Sequence, residues 1–298
     1  MQAILINSKP YKAYWALAAI SFFWGTTWFV SKLTVPFIPP LQLTGMRQIL
    51  AGLLVIIFFL LKSKKWPTSK EFLFHLVSGF LIITCSNGLT TWAIKFIPSF
   101  LGALISCLSP FVFIIANYLF FKEKVKPITL LGLLVGFSGI AILLSSFAVE
   151  MNHANFSLGI IFSLIAVFTW TSGTLISVKN KMNINPYEGI GWQMLFGGIM
   201  LLIASQITGQ HVPIETIPFH AWLKFLYLTF VGSIFCFVCY IYTLQKLPIS
   251  LVSIYVYINP IVALILGILV LNEKLTPAII VGALVTIVGI YLVKRFSK

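Results

Sequence analysis

Residues 108–144 read LSPFVFIIANYLFFKEKVKPITLLGLLVGFSGIAILL, and residues 258–294 read INPIVALILGILVLNEKLTPAIIVGALVTIVGIYLVK. Twelve of these thirty-seven aligned positions are identical. The identical positions include two prolines, a Glu-Lys pair and two glycines, namely Pro110 with Pro260, 123–124 with 273–274, Pro127 with Pro277, Gly132 with Gly282 and Gly139 with Gly289. Shared hydrophobicity does not explain such matches, so a supersecondary unit is predicted to occur twice.

The repeat extends towards the amino terminus at a slightly different spacing. A shift of 146 positions pairs Trp24 with Trp170, Pro40 with Pro186, Gly45 with Gly191 and Gly52 with Gly198. The chain is therefore predicted to consist of two repeats, residues 10–148 and 156–298.

The composition indicates a membrane protein. Hydrophobic residues make up 59% of the chain and charged residues 9%, with a mean hydropathy of +1.03. Apolar stretches long enough to cross a hydrocarbon core of about 30 Å recur along the chain. Ten spans are predicted, at residues 13–31, 40–61, 71–94, 99–121, 127–147, 157–178, 186–206, 219–243, 249–271 and 277–294. Backbone in lipid must satisfy its own hydrogen bonds, and the stretches do not alternate like barrel strands, so the predicted fold class is an all-α polytopic membrane protein.

The distribution of basic residues predicts the orientation. The net charge is +14, but the cations lie at alternate helix ends instead of forming one patch, so a nucleic-acid partner is not expected. With the amino terminus in the cytoplasm, fifteen basic residues fall on the cytoplasmic side. Only Lys32, Lys95, Lys224 and Lys274 fall outside, and Arg47 lies within the membrane. Both termini are predicted to be cytoplasmic, in an inner or plasma membrane whose lipids surround the chain.

Five helices per repeat is an odd number, so the second repeat would enter the membrane upside down. The charge count agrees, because the Glu-Lys pair at 123–124 falls inside and the pair at 273–274 falls outside. Inverted repeats of this kind are typical of transporters that work by alternating access.

The order of motifs resembles a known family. Trp24-Gly25 in the first helix, Pro40 and Arg47 in the second, Asn87 in the third, and a proline-centred fourth helix that ends at Glu123 return in degenerate form in the second half. Over nearly the full length this is similar to the EamA family of the drug/metabolite transporter superfamily. The resemblance implies a secondary transporter of small metabolites, often an exporter of amino acids or drug-like molecules, with a central cavity. Two positions depart from the pattern, since Gln193 stands opposite Arg47 and Thr171 opposite Gly25.

Arg47 is the first candidate for substrate binding. An intramembrane guanidinium is costly and is a functional hypothesis by default, although it could also reach the interface or bond carbonyls at a helix break. Lys32 and Lys95, at outer helix ends, are predicted to form a cationic mouth with it. A carboxylate-bearing substrate would suit such a mouth.

Two proline positions are the next candidates. Pro110 and Pro260 are predicted within helices, where proline frees the carbonyl four residues earlier and kinks the helix. Lipid does not satisfy a freed carbonyl, so Ser109-Pro110 and Asn259-Pro260 are expected to line the cavity, with plain packing kinks as the alternative. Further cavity candidates are an amide and five aromatic side chains, Asn87, Trp24, Trp92, Trp170, Tyr255 and Tyr257; interhelical bonding and packing are their alternatives.

The sequence lacks the residues that enzymatic catalysis or metal binding would require. The chain contains no aspartate, and its six glutamates fall at loops or helix ends, where Glu188 is predicted to belong to a helix start. His75 has no carboxylate partner in the sequence pattern, and the Cys236 and Cys239 pair has no second pair for a metal. No cofactor, no metal and no enzymatic activity are predicted.

The predicted function is secondary transport of a small metabolite, an amino acid or drug-like compound, with export favoured. The alternatives are import or exchange of an anionic or cofactor-like metabolite, and a non-transporting membrane scaffold. The predicted partners are a small-molecule substrate and the lipid bilayer. Substrate identity, coupling ion and oligomeric state stay open at this point.

Overall fold

The computed structural model describes residues 11–63, 66–121, 126–180, 185–247, 249–252, 254–271 and 275–296. Fourteen α-helices occur within these residues: α1 Tyr11–Thr34, α2 Pro40–Ser63, α3 Ser69–Gly79, α4 Leu89–Phe96, α5 Ser99–Ser106, α6 Ser109–Phe121, α7 Pro127–Ser145, α8 Ala154–Lys179, α9 Pro186–Ile207, α10 Phe219–Tyr227, α11 Cys236–Lys246, α12 Ile249–Val252, α13 Tyr255–Leu271 and α14 Pro277–Phe296. Two π-helical segments, Phe80–Gly88 and Leu228–Phe235, join α3 to α4 and α10 to α11. Short 3₁₀ turns occupy Glu150–Asn152 and Ile214–Thr216, and the described residues contain no β-strand. The Glu-Lys pairs at 123–124 and 273–274 lie outside the described residues.

Six helical segments of the described chain are long and apolar enough to cross a membrane. They are Pro40–Lys62, Ser69–Phe96, Pro127–Ser145, Ala154–Val178, Pro186–Ile207 and Phe219–Lys246. Shorter apolar helices cover Ser99–Ile115, Tyr255–Leu271 and Pro277–Gly289. Large apolar side chains point away from the protein interior, with Trp15 and Leu269 each 73% exposed. Such surfaces suit hydrocarbon, so the all-helical fold is that of a polytopic membrane protein.

Two of the predicted spans are interrupted. The span at 99–121 is broken at residues 107–108, between α5 and α6, and in the span at 249–271 Ile254, just before α13, forms a turn. Pro260 lies inside α13 as predicted, but Pro110 lies in the first turn of α6 and not in mid-helix. Proline is tolerated in a first turn because the backbone N–H it lacks has no helical partner there.

Glycines bring two pairs of helices into backbone contact. Between α2 and α9, a Cβ on Gly52 would lie 2.7 Å from the carbonyl oxygen of Gly191. Between α7 and α14, a Cβ on Gly282 would lie 2.6 Å from the carbonyl oxygen of Gly139. Small residues permit this approach, and dispersion forces between the backbones stabilise helix pairs in lipid, where the hydrophobic effect does not.

Side-chain caps fix the starts of two membrane helices. The hydroxyl of Thr68 accepts from the backbone N–H of Glu71, whose carboxylate accepts from the Thr68 N–H at 2.9 Å, a capping box that begins α3. Asn185 Oδ1 accepts from the N–H of Tyr187 at 3.0 Å, and Pro186 occupies the first turn of α9. Glu188 lies in the first turn of this helix, as predicted; it is 3% exposed, and its Oε1 has no hydrogen-bond partner.

Candidate functional site

Arg47 lies two turns into α2 and is buried, with 7% of its surface exposed. Its Nη1 donates to Ser233 Oγ and its Nη2 to Asn87 Oδ1, both at 3.3 Å, while its Nε has no partner. Both partners are neutral, and the part of the chain that the structure describes offers Arg47 no ion pair. A buried cation without a counterion is expensive, so the site is electrostatically complementary to an anion.

Both partners of Arg47 come from the π-helical segments. Asn87 Nδ2 donates to the carbonyl of Ile82 at 2.8 Å, and Ser233 Oγ donates to the carbonyl of Leu228 at 3.4 Å, in each case five residues back. Asn87 and Ser233 are 146 positions apart, the spacing that pairs Trp24 with Trp170. π-helical turns occur often at functional sites. Arg47 therefore joins equivalent points of the two halves of the chain.

The guanidinium of Arg47 lines a cavity of about 130 Å³, the Arg47 cavity. Seven predicted site residues line it: Trp24, Arg47, Asn87, Ser109, Trp170, Tyr255 and Asn259. The remaining lining residues are Thr27, Trp28, Ser31, Ser86, Thr90, Thr91, Ile94, Ser106, Ala166, Val167, Gly232, Phe237 and Val256. One cation, many hydroxyl and amide groups and a set of aromatic rings thus face one space from both halves of the chain.

Aromatic side chains form one wall of the cavity. The rings of Trp24 and Trp170 meet edge to face with centroids 6.0 Å apart, and Tyr255 lies 5.1 Å from Trp24. Trp24 Nε1 donates to the carbonyl of Gly232 at 3.1 Å, which fixes its orientation. This wall can receive an apolar or aromatic group of a ligand whose charged end lies at Arg47.

The two predicted proline sites contribute the residues before the prolines. Ser109 and Asn259 line the cavity, whereas Pro110 and Pro260 do not. Ser109 Oγ donates to the carbonyl of Ser106 at 2.6 Å, and the Cys107 thiol donates to the carbonyl of Val256 at 3.2 Å. The two carbonyls that the prolines leave free are therefore bonded by protein groups.

The other predicted site residues lie away from the cavity lining. Trp92 packs against Phe162 at 4.9 Å between centroids, and Tyr257 packs against the apolar core. Lys32 Nζ donates to the carbonyls of Ile94 and Ile97 at 2.6 and 2.8 Å, and so binds the carboxyl end of α4. The exposed Lys95 ammonium lies 5.8 Å from the Phe96 ring. Neither lysine lines the space that Arg47 faces.

Sequence reasoning did not select Thr27 and Ser31, which line the cavity. They follow Trp24 by three and seven residues, so all three lie on one helix face, and this spacing was the available signal. Phe237 and Gly232 gave no comparable signal, since their position depends on how α11 and the second π segment pack.

A second cavity, of about 550 Å³, lies beyond the aromatic wall. This Gln193 cavity is lined by Phe74, His75, Ile82, Trp170, Thr174, Ser177, Val178, Asn180, Pro186, Gly189, Ile190, Gln193, Phe237, Tyr240, Ile241, Leu244 and Gln245. Trp170 and Phe237 line both cavities. The aromatic wall therefore separates two spaces.

An all-helical membrane protein with a polar cavity between its two halves belongs, by architecture, with membrane transporters. The chain is a member of the EamA-like transporter family, whose model matches residues 11–145 and again 157–295. It is 30% identical over 254 residues to the uncharacterized inner membrane transporter YedA of Escherichia coli (strain K12), covering 85% of this chain and 80% of YedA. It is 27% identical to the uncharacterized transporter YvbV of Bacillus subtilis (strain 168), covering 95% of this chain and 91% of YvbV.

A crystal structure matches the same fold with a TM-score of 0.68 and 16% sequence identity, covering 96% of this chain and 97% of that one. The family and these relatives make the chain a multi-pass membrane transporter of the drug/metabolite type.

Proposed function

We propose that this protein is a secondary transporter that moves a small carboxylate-bearing metabolite, such as an amino acid, out of the cell by alternating access. The observation that carries the proposal is Arg47, a buried cation that bonds only neutral groups and faces the Arg47 cavity. A substrate carboxylate supplies the missing charge and can accept from Nε as well as from the Nη groups. The aromatic wall receives the rest of the molecule.

Alternating access rests on ten membrane spans arranged as two inverted repeats, residues 10–148 and 156–298, with both termini cytoplasmic. The close pairs α2 with α9 and α7 with α14 support this arrangement, since each joins equivalent helices of the two halves. The two separate matches to the family model support the division. Two cavities on either side of the Trp24 and Trp170 contact support it as well, because inverted halves place equivalent spaces on opposite faces.

Cysteine labelling tests the orientation. In intact cells, a single cysteine at Glu150→Cys is expected to react with a membrane-impermeant maleimide, and one at Lys62→Cys only after the membrane is permeabilised. Both native residues are exposed, so a failure to react reports on membrane sidedness and not on burial. Labelling of Lys62→Cys and protection of Glu150→Cys in intact cells would invert the orientation.

Flux across proteoliposomes tests the function. Purified protein is first screened by thermal shift against carboxylates, amino acids and their amides, because a ligand of the native state raises its apparent stability. A carboxylate that stabilises the protein is then radiolabelled and its movement measured in both directions. Saturable flux with the carboxylate but not its amide is the expected result. Binding without flux would favour the scaffold alternative. Faster flux in the importing direction than in the exporting direction would favour an importer.

A further inference from the structure

The Gln193 cavity is the repeat counterpart of the Arg47 cavity. The shift of 146 positions relates lining residues of one to lining residues of the other, namely Trp24 to Trp170, Trp28 to Thr174, Ser31 to Ser177 and Arg47 to Gln193. The correspondence differs in size at Trp28 and Thr174 and in charge at Arg47 and Gln193. Where the first cavity has a permanent cation, the second has the neutral amide of Gln193.

A histidine lies beside that amide. His75 is 3% exposed, lines the Gln193 cavity, and packs against Gly189, where an added Cβ would lie 2.7 Å from its Cε1. Gln193 Nε2 lies 3.5 Å from His75 Nδ1. An amide nitrogen can only donate, so the neutral imidazole accepts at Nδ1 and carries its hydrogen on Nε2. That Nε2 has no partner in the protein.

The remaining groups of the cavity can bind an anion but do not supply positive charge. Ser177 Oγ on α8 is a second buried polar atom without a partner, and Thr174 on the same helix is neutral. The charge that acts on His75 is that of Glu71, one turn earlier on α3, which is held in the Thr68 capping box. The carboxylate of Glu71 also acts electrostatically on Glu188 of α9. Of the side chains that line the cavity, His75 is the one that becomes a cation when it takes up a proton, since the phenol of Tyr240 is neutral in its protonated form.

We propose that the Gln193 cavity is a second carboxylate site, at which the anion binds together with a proton carried by His75. The ligand class rests on the proposed function. A proton from water adds to Nδ1, and the Gln193 amide turns so that its Oε1 accepts from Nδ1–H. The Nε2–H of His75 and the hydroxyl of Ser177 then donate to the carboxylate. Burial penalises the imidazolium alone and the carboxylate alone, so the two enter the site as a neutral pair.

The site therefore couples substrate to protons in one half of the molecule only. Arg47 holds its carboxylate at any physiological pH, because a guanidinium does not lose its proton. His75 holds its carboxylate only while protonated. This asymmetry between equivalent cavities gives the transporter a pH-dependent step.

Charge-selective cysteine modification tests the site without a transport assay. In detergent-purified protein whose four native cysteines are replaced, Ser177→Cys is reacted with two methanethiosulfonates, the anionic sulfonatoethyl and the cationic trimethylammonioethyl reagents. The measured quantity is the rate with the anionic reagent divided by the rate with the cationic reagent. Because both reagents attack the same thiolate, this ratio does not depend on the ionisation of the thiol. It is expected to rise about five-fold or more from pH 7.5 to pH 5.5, since the sulfonate of the anionic reagent can enter together with a proton on His75, as a carboxylate would, whereas the cationic reagent gains nothing from that proton.

Three variants assign the effect. His75→Gln in the Ser177→Cys protein is expected to give a low ratio at both pH values, and Gln193→Arg a high ratio at both. Ser31→Cys, at the equivalent place in the Arg47 cavity, is expected to give a high ratio that does not change with pH. A flat ratio in the protein with native His75 overturns the proposal, and so does a pH dependence that survives His75→Gln, which would assign the titration to Glu71 or Glu188. If His75→Gln does not fold, the native pH dependence and Gln193→Arg still decide. A pH-dependent ratio without any flux would leave this site standing and remove the proposed function.

Discussion

Arg47→Gln is expected to weaken substrate binding strongly while leaving the empty protein at least as stable as the native one. Truncating one partner of a buried charge pair costs about 2 to 5 kcal/mol, so the affinity for a carboxylate ligand should fall about 30-fold or more. In the empty protein the same change removes a buried cation that has only two neutral partners, at 3.3 Å each, and so its unfolding temperature should not fall.

A loss of ligand affinity without a loss of stability separates a binding role of Arg47 from a structural one. Ligand affinity is measured by titration calorimetry, and stability by the thermal unfolding of ligand-free protein in the same detergent. Arg295→Gln is the matched control, because Arg295 is the other arginine of the chain and is exposed. It should change neither quantity. Arg47→Gln with undiminished affinity and lowered stability would show that the guanidinium only bonds the two π segments together.

A carboxylate placed beside the intact Arg47 is a second test of whether its guanidinium binds the substrate. Asn87→Asp preserves the size of the side chain that accepts from Nη2 and adds the negative charge that the site lacks. The internal ion pair should weaken carboxylate binding, because the substrate must then displace a covalently held competitor, while the unfolding temperature should change little, since the bond from Asn87 Nδ2 to the carbonyl of Ile82 is lost. Asn152→Asp, at an exposed position, should change neither property.

Gly289→Ala is expected to destabilise the protein by about 3 kcal/mol or more, through the contact of α14 with α7. A Cβ at this position would meet the backbone N of Gly136, would lie 2.5 Å from its Cα and would lie 2.8 Å from the carbonyl oxygen of Gly132. These are backbone atoms, so no change of rotamer relieves the overlap and the helices must move apart. At about 2 to 4 °C per kcal/mol, the unfolding temperature should drop by about 6 to 12 °C.

Val288→Leu is the control for this change. Val288 precedes Gly289 on the same helix but is 52% exposed, and it points away from α7. An added methylene there meets hydrocarbon, so the unfolding temperature should stay within a degree or so of the native value. If Gly289→Ala unfolds at the native temperature, the backbone contact between α7 and α14 does not form as described.

The sequence predicted the parts of the site that depend on local properties. Arg47 was identifiable because a charge within an apolar stretch is conspicuous, and Trp24 and Trp170 because a fixed shift pairs them. Gln193 was noted only as a departure from that pairing. Its proximity to His75 was not predictable, since α3 and α9 are more than a hundred residues apart and meet only when the helices pack.

Two features lie elsewhere than the sequence predicted. The helix break near Pro110 falls at residues 107–108, where Ser109 bonds the Ser106 carbonyl and α6 can begin anew. The lysine at position 32, expected at a cationic mouth, binds two carbonyls at the end of α4. The position of Lys32 depends on partners more than sixty residues away in the sequence.

The sequence alone determined the class of this protein, because hydrophobicity, helix length and a repeat are properties of consecutive residues that lipid acts on directly. It also determined that one half of the chain carries an intramembrane cation and the other an amide. The tertiary structure alone decided what faces that cation, which is Asn87 and Ser233 from equivalent π segments, and that a histidine lies beside the amide. Burial and charge pairing arise between helices, and no single stretch of chain contains both partners.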